Sequence, residues 1–329
     1  MIMKKILLMA AVLLGAVGCK TGGKTLLPNV SGRAGEVIVV MDKEDWDGDL
    51  GSQVRDVLAG DCPYLAQKEP LYNLANVSPT GFADLFKIHR NIVIFNIDKN
   101  LSEPGMLYRS DVWARPQCVI QLSARDAAEA RALFGENQER ILGTIEQAER
   151  DRVIANSKLY EERSLAEAVR AMVGGSPHFP SGYKLKKKTD DFIWIADEKQ
   201  YSTQGVFIYR YPASENENFT VDNIIAHRNQ TLKDNVPGMF AGTYMTTADY
   251  IKPTVEFIRF RGRQFAQTRG FWEVHNDFMG GPFVSHSFYG PDAKEIIVVE
   301  AWVYAPRFDK RQYLRQVESV IYSFEWAQN

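Results

Sequence analysis

Residues 283–304 read FVSHSFYGPDAKEIIVVEAWVY, and this stretch decides the fold class. It holds two strand-like runs, Phe283 to Tyr289 and Ile296 to Tyr304, with no helix between them. Strands joined this way pair antiparallel, because parallel neighbours need a long crossover. The same pattern extends upstream. Strands are expected at Tyr183 to Lys187, Phe192 to Ala196 and Val206 to Tyr211, followed by a helix at Val221 to Lys233 and strands at Val255 to Phe260 and Gln264 to Val274. A closing helix, Lys310 to Ile321, sets Tyr313, Leu314, Val317, Val320 and Ile321 on one face. The class is α+β, with helices packed on sheets.

The first half carries a β-branched strand at Glu36 to Met41 and a helix from Asp45 to Leu58. Further strands are read at Leu71 to Val77 and Asn91 to Ile97, with a short helix at Pro79 to Phe86 between them. Met106 to Trp113 and Cys118 to Leu122 form an expected strand pair. Ser123 then caps a long helical region, with Asp126 as the capping-box acid, and a second helix near Leu159 to Val173 stops at Gly174-Gly175. Its many charges make this region a solvated connector. The turn-rich Ser176 to Gly182 places a boundary, giving an N-terminal α/β part at 35–175 and a C-terminal α+β part at 176–329. Both sheets are expected to be mainly antiparallel.

Lys4 and Lys5 precede a twelve-residue apolar run, Ile6 to Val17. As a helix it rises about 18 Å, too short for a hydrocarbon core of about 30 Å. Residues 1–18 therefore read as a secretory signal. Ala16-Val17-Gly18-Cys19 resembles the lipobox of bacterial lipoproteins, with Ala16 where that pattern prefers Leu. The resemblance implies acylation of Cys19 and a lipid bilayer as partner. Residues 19–34 are rich in Gly, Ser, Lys and Pro and read as a flexible tether. Lys20 to Lys24 include no acid, which favours the periplasmic face of an outer membrane.

Loss of Lys4 and Lys5 with the signal leaves 37 of the 39 basic residues against 41 acids, a formal charge of −4. Basic residues cluster only at Lys184 to Lys188, which provides no footprint for nucleic acid. Cys62 adjoins Pro63 and Cys118 follows Pro116 by two residues, and a bridge and two buried thiols are equally compatible with that setting.

Several segments resemble a family of uncharacterised Bacteroidota lipoproteins, domain of unknown function 4837. They are Trp46-Asp47-Gly48, Gln67-Lys68-Glu69-Pro70, Arg90-Asn91-Ile92, Trp113-Ala114-Arg115-Pro116-Gln117, Asp234-Asn235-Val236-Pro237-Gly238 and Arg269-Gly270-Phe271-Trp272-Glu273. The resemblance spans nearly the whole mature chain and implies no activity. From Tyr183 onward the spacing also resembles the small sheets of the Mog1/PsbP kind.

The densest polar-aromatic segment runs from Arg269 to Asp277. On a regular strand Glu273, His275 and Asp277 share a face, with Arg269 in the same row and Trp272 opposite. Such a row suits a ligand, proton transfer or, with His286 from a partner strand, a metal. A solvated strand face is the plainer reading. Trp272 and Trp302, with Tyr244, Tyr289 and Tyr304, offer stacking faces, although aromatics in a sheet more often build core. Glu69, Arg90, Arg115 and Gln117 read as an interior tie between loops or as an anion clamp. Asp45-x-Asp47-x-Asp49 fails as a calcium loop because Leu50 stands where glycine is needed. No hydrolase, redox or nucleotide signature appears, and no cofactor is expected. The expected role is a non-enzymatic binding or assembly module of the cell envelope with a protein, peptide or glycan partner. The alternative is a metal-dependent or acid/base hydrolase using the Glu273/His275/Asp277 row.

Overall fold

The computed structural model describes residues 26–327. The signal, Cys19 and the first part of the tether lie outside the described residues. The N-terminal part runs β1 (Glu36–Val40), α1 (Lys43–Asp47), α2 (Asp49–Leu58), β2 (Asn73–Val77), α3 (Asp84–Lys87), β3 (Asn91–Ile97), β4 (Gly105–Ser110), β5 (Cys118–Ala124) and α4 (Ala127–Leu159). Its five-stranded sheet has the order β2-β1-β3-β5-β4. Pairings β1–β2, β1–β3 and β3–β5 are parallel, and only the edge strand β4 runs antiparallel. This corrects the expectation of a mainly antiparallel first sheet. Val37 to Met41 are buried without alternation, because helices and loops cover both faces of the strand. Val39, Val54, Phe134 and Ile145 fill one covering layer, and Ile38, Val40, Ile92 and Val119 the other.

The C-terminal part runs α5 (Arg163–Val173), β6 (Gly175–Ser176), β7 (Lys184–Lys188), β8 (Phe192–Lys199), β9 (Ser202–Pro212), α6 (Val221–Asn235), β10 (Met245–Thr247), β11 (Thr254–Phe260), β12 (Arg263–Val274), β13 (Gly280–Tyr289), β14 (Glu295–Tyr304), α7 (Arg311–Tyr322) and β15 (Glu325–Trp326). Eight strands form one sheet in the order β10-β12-β13-β14-β9-β8-β7, with β11 also on β12. All its pairings are antiparallel, and the strands of the opening stretch meet as Phe283↔Trp302 and Tyr289↔Ile296. The α+β class holds. One face packs Ile208, Val299 and Val303 against Val169 of α5 and Leu314, Val317 and Ile321 of α7. The other packs Phe207, Phe283 and Val298 against Leu232 of α6.

Helix α4 is not a solvated connector. Its 33 residues extend about 50 Å. Ala130, Phe134, Ile141 and Ile145 lie in the first core and Ile154 in the second. One rigid element therefore belongs to both parts. Asp126, rather than Ser123, is its N-cap, accepting from Glu129 N–H at 2.8 Å. Helix α5 (Arg163–Val173) buries Leu165, Val169 and Val173 in the second core. Residues near the end of the expected tether are docked. Arg115 N–H donates to Pro28 O at 2.8 Å, and Ser31 N–H donates to Ile88 O at 2.8 Å. Gly32 has φ +87°, and a Cβ there would collide with the His89 ring.

Candidate functional site

The structure does not assemble the Glu273/His275/Asp277 row. Strand β12 ends at Val274 and the chain turns at Asn276, whose φ is +61°. Asp277 N–H donates to Val274 O at 3.0 Å, closing the turn, and the Asp277 carboxylate accepts from Phe278 N–H at 2.7 Å. His275 is exposed and stacks on Tyr244, ring centroids 4.9 Å apart. His286 pairs with Gln267 across β12 and β13, six residues from Glu273 or about 20 Å along the strand. It is fully buried, stacked 4.0 Å from Phe265, and burial holds its imidazole neutral, well below the usual range. Among the described residues no group of three metal-ligating side chains forms. Arg269 turns to α7 and pairs with Glu318 at 2.5 Å.

The polar residues of the first half tie structure together. Both carboxylate oxygens of Glu69 accept backbone N–H groups at 2.7 Å, from Lys310 and Arg311, at the start of α7. Arg90 pairs at 2.9 Å with Glu149, a buried acid of α4 that also receives Asn91 Nδ2 at 2.6 Å and Arg152 at 3.0 Å. Gln117 donates to the carbonyls of Lys87 and His89 at 2.6 and 2.7 Å and accepts from Trp113 N–H at 2.9 Å. Arg115 is the outlier, largely exposed and 3.4 Å from Asp111. These four residues therefore do not converge on an anion. Cys62 and Cys118 are free thiols, each pushed up to about 11 by burial.

A better site lies where the segment after α6 folds over one end of the second sheet. A cavity of about 360 Å³ opens there, walled by Trp194, Met245, Trp272, Trp302 and Tyr304 from the strands and by Met239 from the covering segment. Trp302 stands at its centre, 5.5 Å from Trp272, 6.2 Å from Trp194 and 5.4 Å from Phe207. The indole fits because Gly205 lies opposite it in register, and a Cβ there would fall 2.0 Å from the ring. Trp272 Nε1 donates to Val303 O at 3.1 Å. Nε1 of Trp194 and of Trp302 are buried without an acceptor among the described residues, an uncommon state for indole N–H groups. The lining residues Met239 and Met279 have exposed apolar chain neighbours in Phe240 and Phe278, and Met239 itself is 80% exposed. Two wider grooves of about 830 and 720 Å³ in the first part are open and lined by a mixture of charged, polar and small apolar residues without indoles.

Trp272 and Trp302 were legible from sequence as possible stacking faces. Trp194, Met239, Met245 and Met279 were not. Their only signal was the pairing of Gly205 with a tryptophan, visible once register is known.

The fold and site define a two-part α+β protein with an aromatic pocket that carries Glu198 in its wall, and no assembled catalytic row among the described residues. Residues 162–323 match the model of a domain of unknown function, DUF4837. The family resemblance is shown over those residues. It does not extend to the whole chain, since residues 30–158 match a separate domain of unknown function, DUF8532. No curated protein matches the chain. Similar solved structures include a mutant of protein Mog1, at 8% identity and a TM-score of 0.31, covering 46% of this chain and 90% of that one. A second, from Bacteroides thetaiotaomicron, has 10% identity and a TM-score of 0.26, covering 47% of this chain and 46% of that one.

Proposed function

We propose that the protein is a non-enzymatic binding module of the cell envelope, anchored through acylated Cys19 to an outer membrane and facing the periplasm. Its tryptophan-lined pocket takes an apolar side chain of a protein or peptide partner. The observation that carries this reading is the pair of unpartnered indole N–H groups, Trp194 and Trp302, in a cavity flanked by exposed Met239, Phe240 and Phe278. Rings and thioethers supply adaptable apolar contact, and the two donors suit a backbone carbonyl of the bound segment. Exposed apolar patches beside a cavity mark interaction sites.

A photo-crosslinker at Phe278 in the full-length protein, expressed in its own cell, tests this. The expected result is one dominant envelope-protein adduct that Trp194→Ala reduces at least tenfold. Labelling of glycan alone, or adducts unchanged in Trp194→Ala, overturns the peptide reading. Mass spectrometry of native Cys19 tests the anchor separately, and an unmodified thiol removes it.

A further inference from the structure

A second cleft, of about 410 Å³, lies between the β11–β12 hairpin and the end of the chain. Arg263, Tyr322, Phe324 and Trp326 line it. The Arg263 guanidinium carbon sits 5.1, 5.0 and 4.9 Å from the ring centres of Phe265, Phe288 and Phe324. Its Nη1 and Nη2 atoms are shielded from solvent and have no hydrogen-bond acceptor among the described residues. Arg263 takes part in none of the ion pairs among the described residues. The nearby charges do not compensate it. Glu325, the acid in the cleft wall, is engaged by Lys158 at 2.5 Å and His178 at 3.1 Å. Arg261, at the hairpin turn, pairs with Asp151 at 2.8 Å. Arg150 adds a further cation, stacked 3.8 Å from the Tyr322 ring.

Aromatic faces offset only part of what removing an ion from water costs. Burial accordingly lowers the Arg263 pKa to about 10. A cation in this state at the wall of a cleft is a half-built ion pair. Phe324 is part of the second core and leads directly into the two-residue strand β15, which pairs with β6 at the edge of the cleft. Trp326 on that strand is 38% exposed.

We infer that Arg263 anchors a binding site for an organic anion, a carboxylate or phosphate group carried on an apolar body. The guanidinium edge takes the oxyanion in its fork, and Phe324 and Trp326 take the apolar body. This site is separate from the indole pocket and does not depend on the function proposed for it.

Hexanoate is the probe, with hexanol as its uncharged control and inorganic phosphate as an anion without a body. Thermal midpoint and tryptophan fluorescence of the full chain are the readouts. Hexanoate is expected to raise the midpoint saturably and to change the fluorescence, while hexanol does neither and phosphate acts more weakly. Arg263→Lys should weaken hexanoate at least tenfold and Arg263→Met should abolish its effect. Without ligand, Arg263→Met should melt at or above the wild-type temperature, because an uncompensated charge is gone. An equal response to hexanol, or a hexanoate response unchanged in Arg263→Met, overturns the inference. If Arg263→Met does not fold, the wild-type titration and Arg263→Lys decide, and absence of a hexanoate response overturns the site.

Discussion

At the scale of single residues, the most consequential contact is the ion pair of Arg228 with Glu300. Both side chains are fully buried, and the guanidinium meets the two carboxylate oxygens at 2.8 Å each. Thr247 accepts from a third nitrogen at 2.8 Å, and the cation lies 3.8 Å from the Phe283 ring. Breaking such a pair strands a charge. Glu300→Gln is therefore expected to cost about 3–5 kcal/mol in urea unfolding, while the double change Arg228→Met with Glu300→Leu recovers most of it. A double variant no better than the single would show that the charges themselves specify the packing beneath α6. Neither residue stood out in the sequence, where Glu300 is one acid within an apolar strand and Arg228 one base among several in a helix. Pairing across 72 positions has no local signature. The Glu273/His275/Asp277 row failed for the opposite reason. Its residues have the spacing of a strand face, but the strand stops at Val274, and only the backbone turn at Asn276 reveals that.

At the scale of elements, α7 depends on a residue of the other part. Glu69 caps its first N–H groups from 241 and 242 positions away, while the helix N-terminus favours the carboxylate. Glu69→Ala is expected to lose about 1–2 kcal/mol, measurable by chemical unfolding. Retention of full stability would mean that Lys310 and Arg311 find other acceptors. Strand β9 makes a complementary case. Gly205→Ala places a methyl group against Trp302, and overpacking of this kind costs about 1–3 kcal/mol. The same change displaces the central indole, so partner capture by the pocket should fall with stability. Elements of the second part were largely legible from sequence, because β-branched and aromatic runs bounded by turn residues, and an amphipathic closing helix, are local signals. The first sheet was misread as antiparallel because periodicity identifies a strand without identifying its neighbour.

At the scale of the whole molecule, α4 makes the two parts one cooperative body. Its buried residues lie in both cores, and it holds α7 through the pair of Glu146 with Arg315 at 3.0 Å. Unfolding should be a single transition, with the fluorescence of Trp46 and Trp113 from the first part and of Trp272 and Trp302 from the second changing together. Separate transitions in single-tryptophan variants would show that the helix does not couple them. Stability should also fall on acidification, first through His286. Its folded pKa lies well below the usual value because of burial and the nearby cations Arg263, Arg269 and Arg150. An unfolded histidine takes up its proton near pH 6.5, which the folded core refuses. The contribution is complete above that pH and is lost below it, by up to about 1.4 kcal/mol per pH unit. Glu146, held low against its own burial by Arg315 and Arg150, adds a further loss below the ordinary carboxylate range. His286→Phe should flatten the decline between pH 6.5 and 5, and an unchanged slope would assign that decline to other groups.

By itself the sequence determined the α+β class, most strand and helix positions in the second part, and the tryptophans Trp272 and Trp302 as aromatic faces. Those properties follow from periods of two and 3.6 residues and from side-chain type, both of which are local. Only the tertiary structure decided that the first sheet is parallel, that α4 lies in both cores, that Glu69 caps α7, and that Gly205 makes room for Trp302. Each of these depends on which distant segments share a core, and the free energy that brings them together comes from burying area that no single segment can cover.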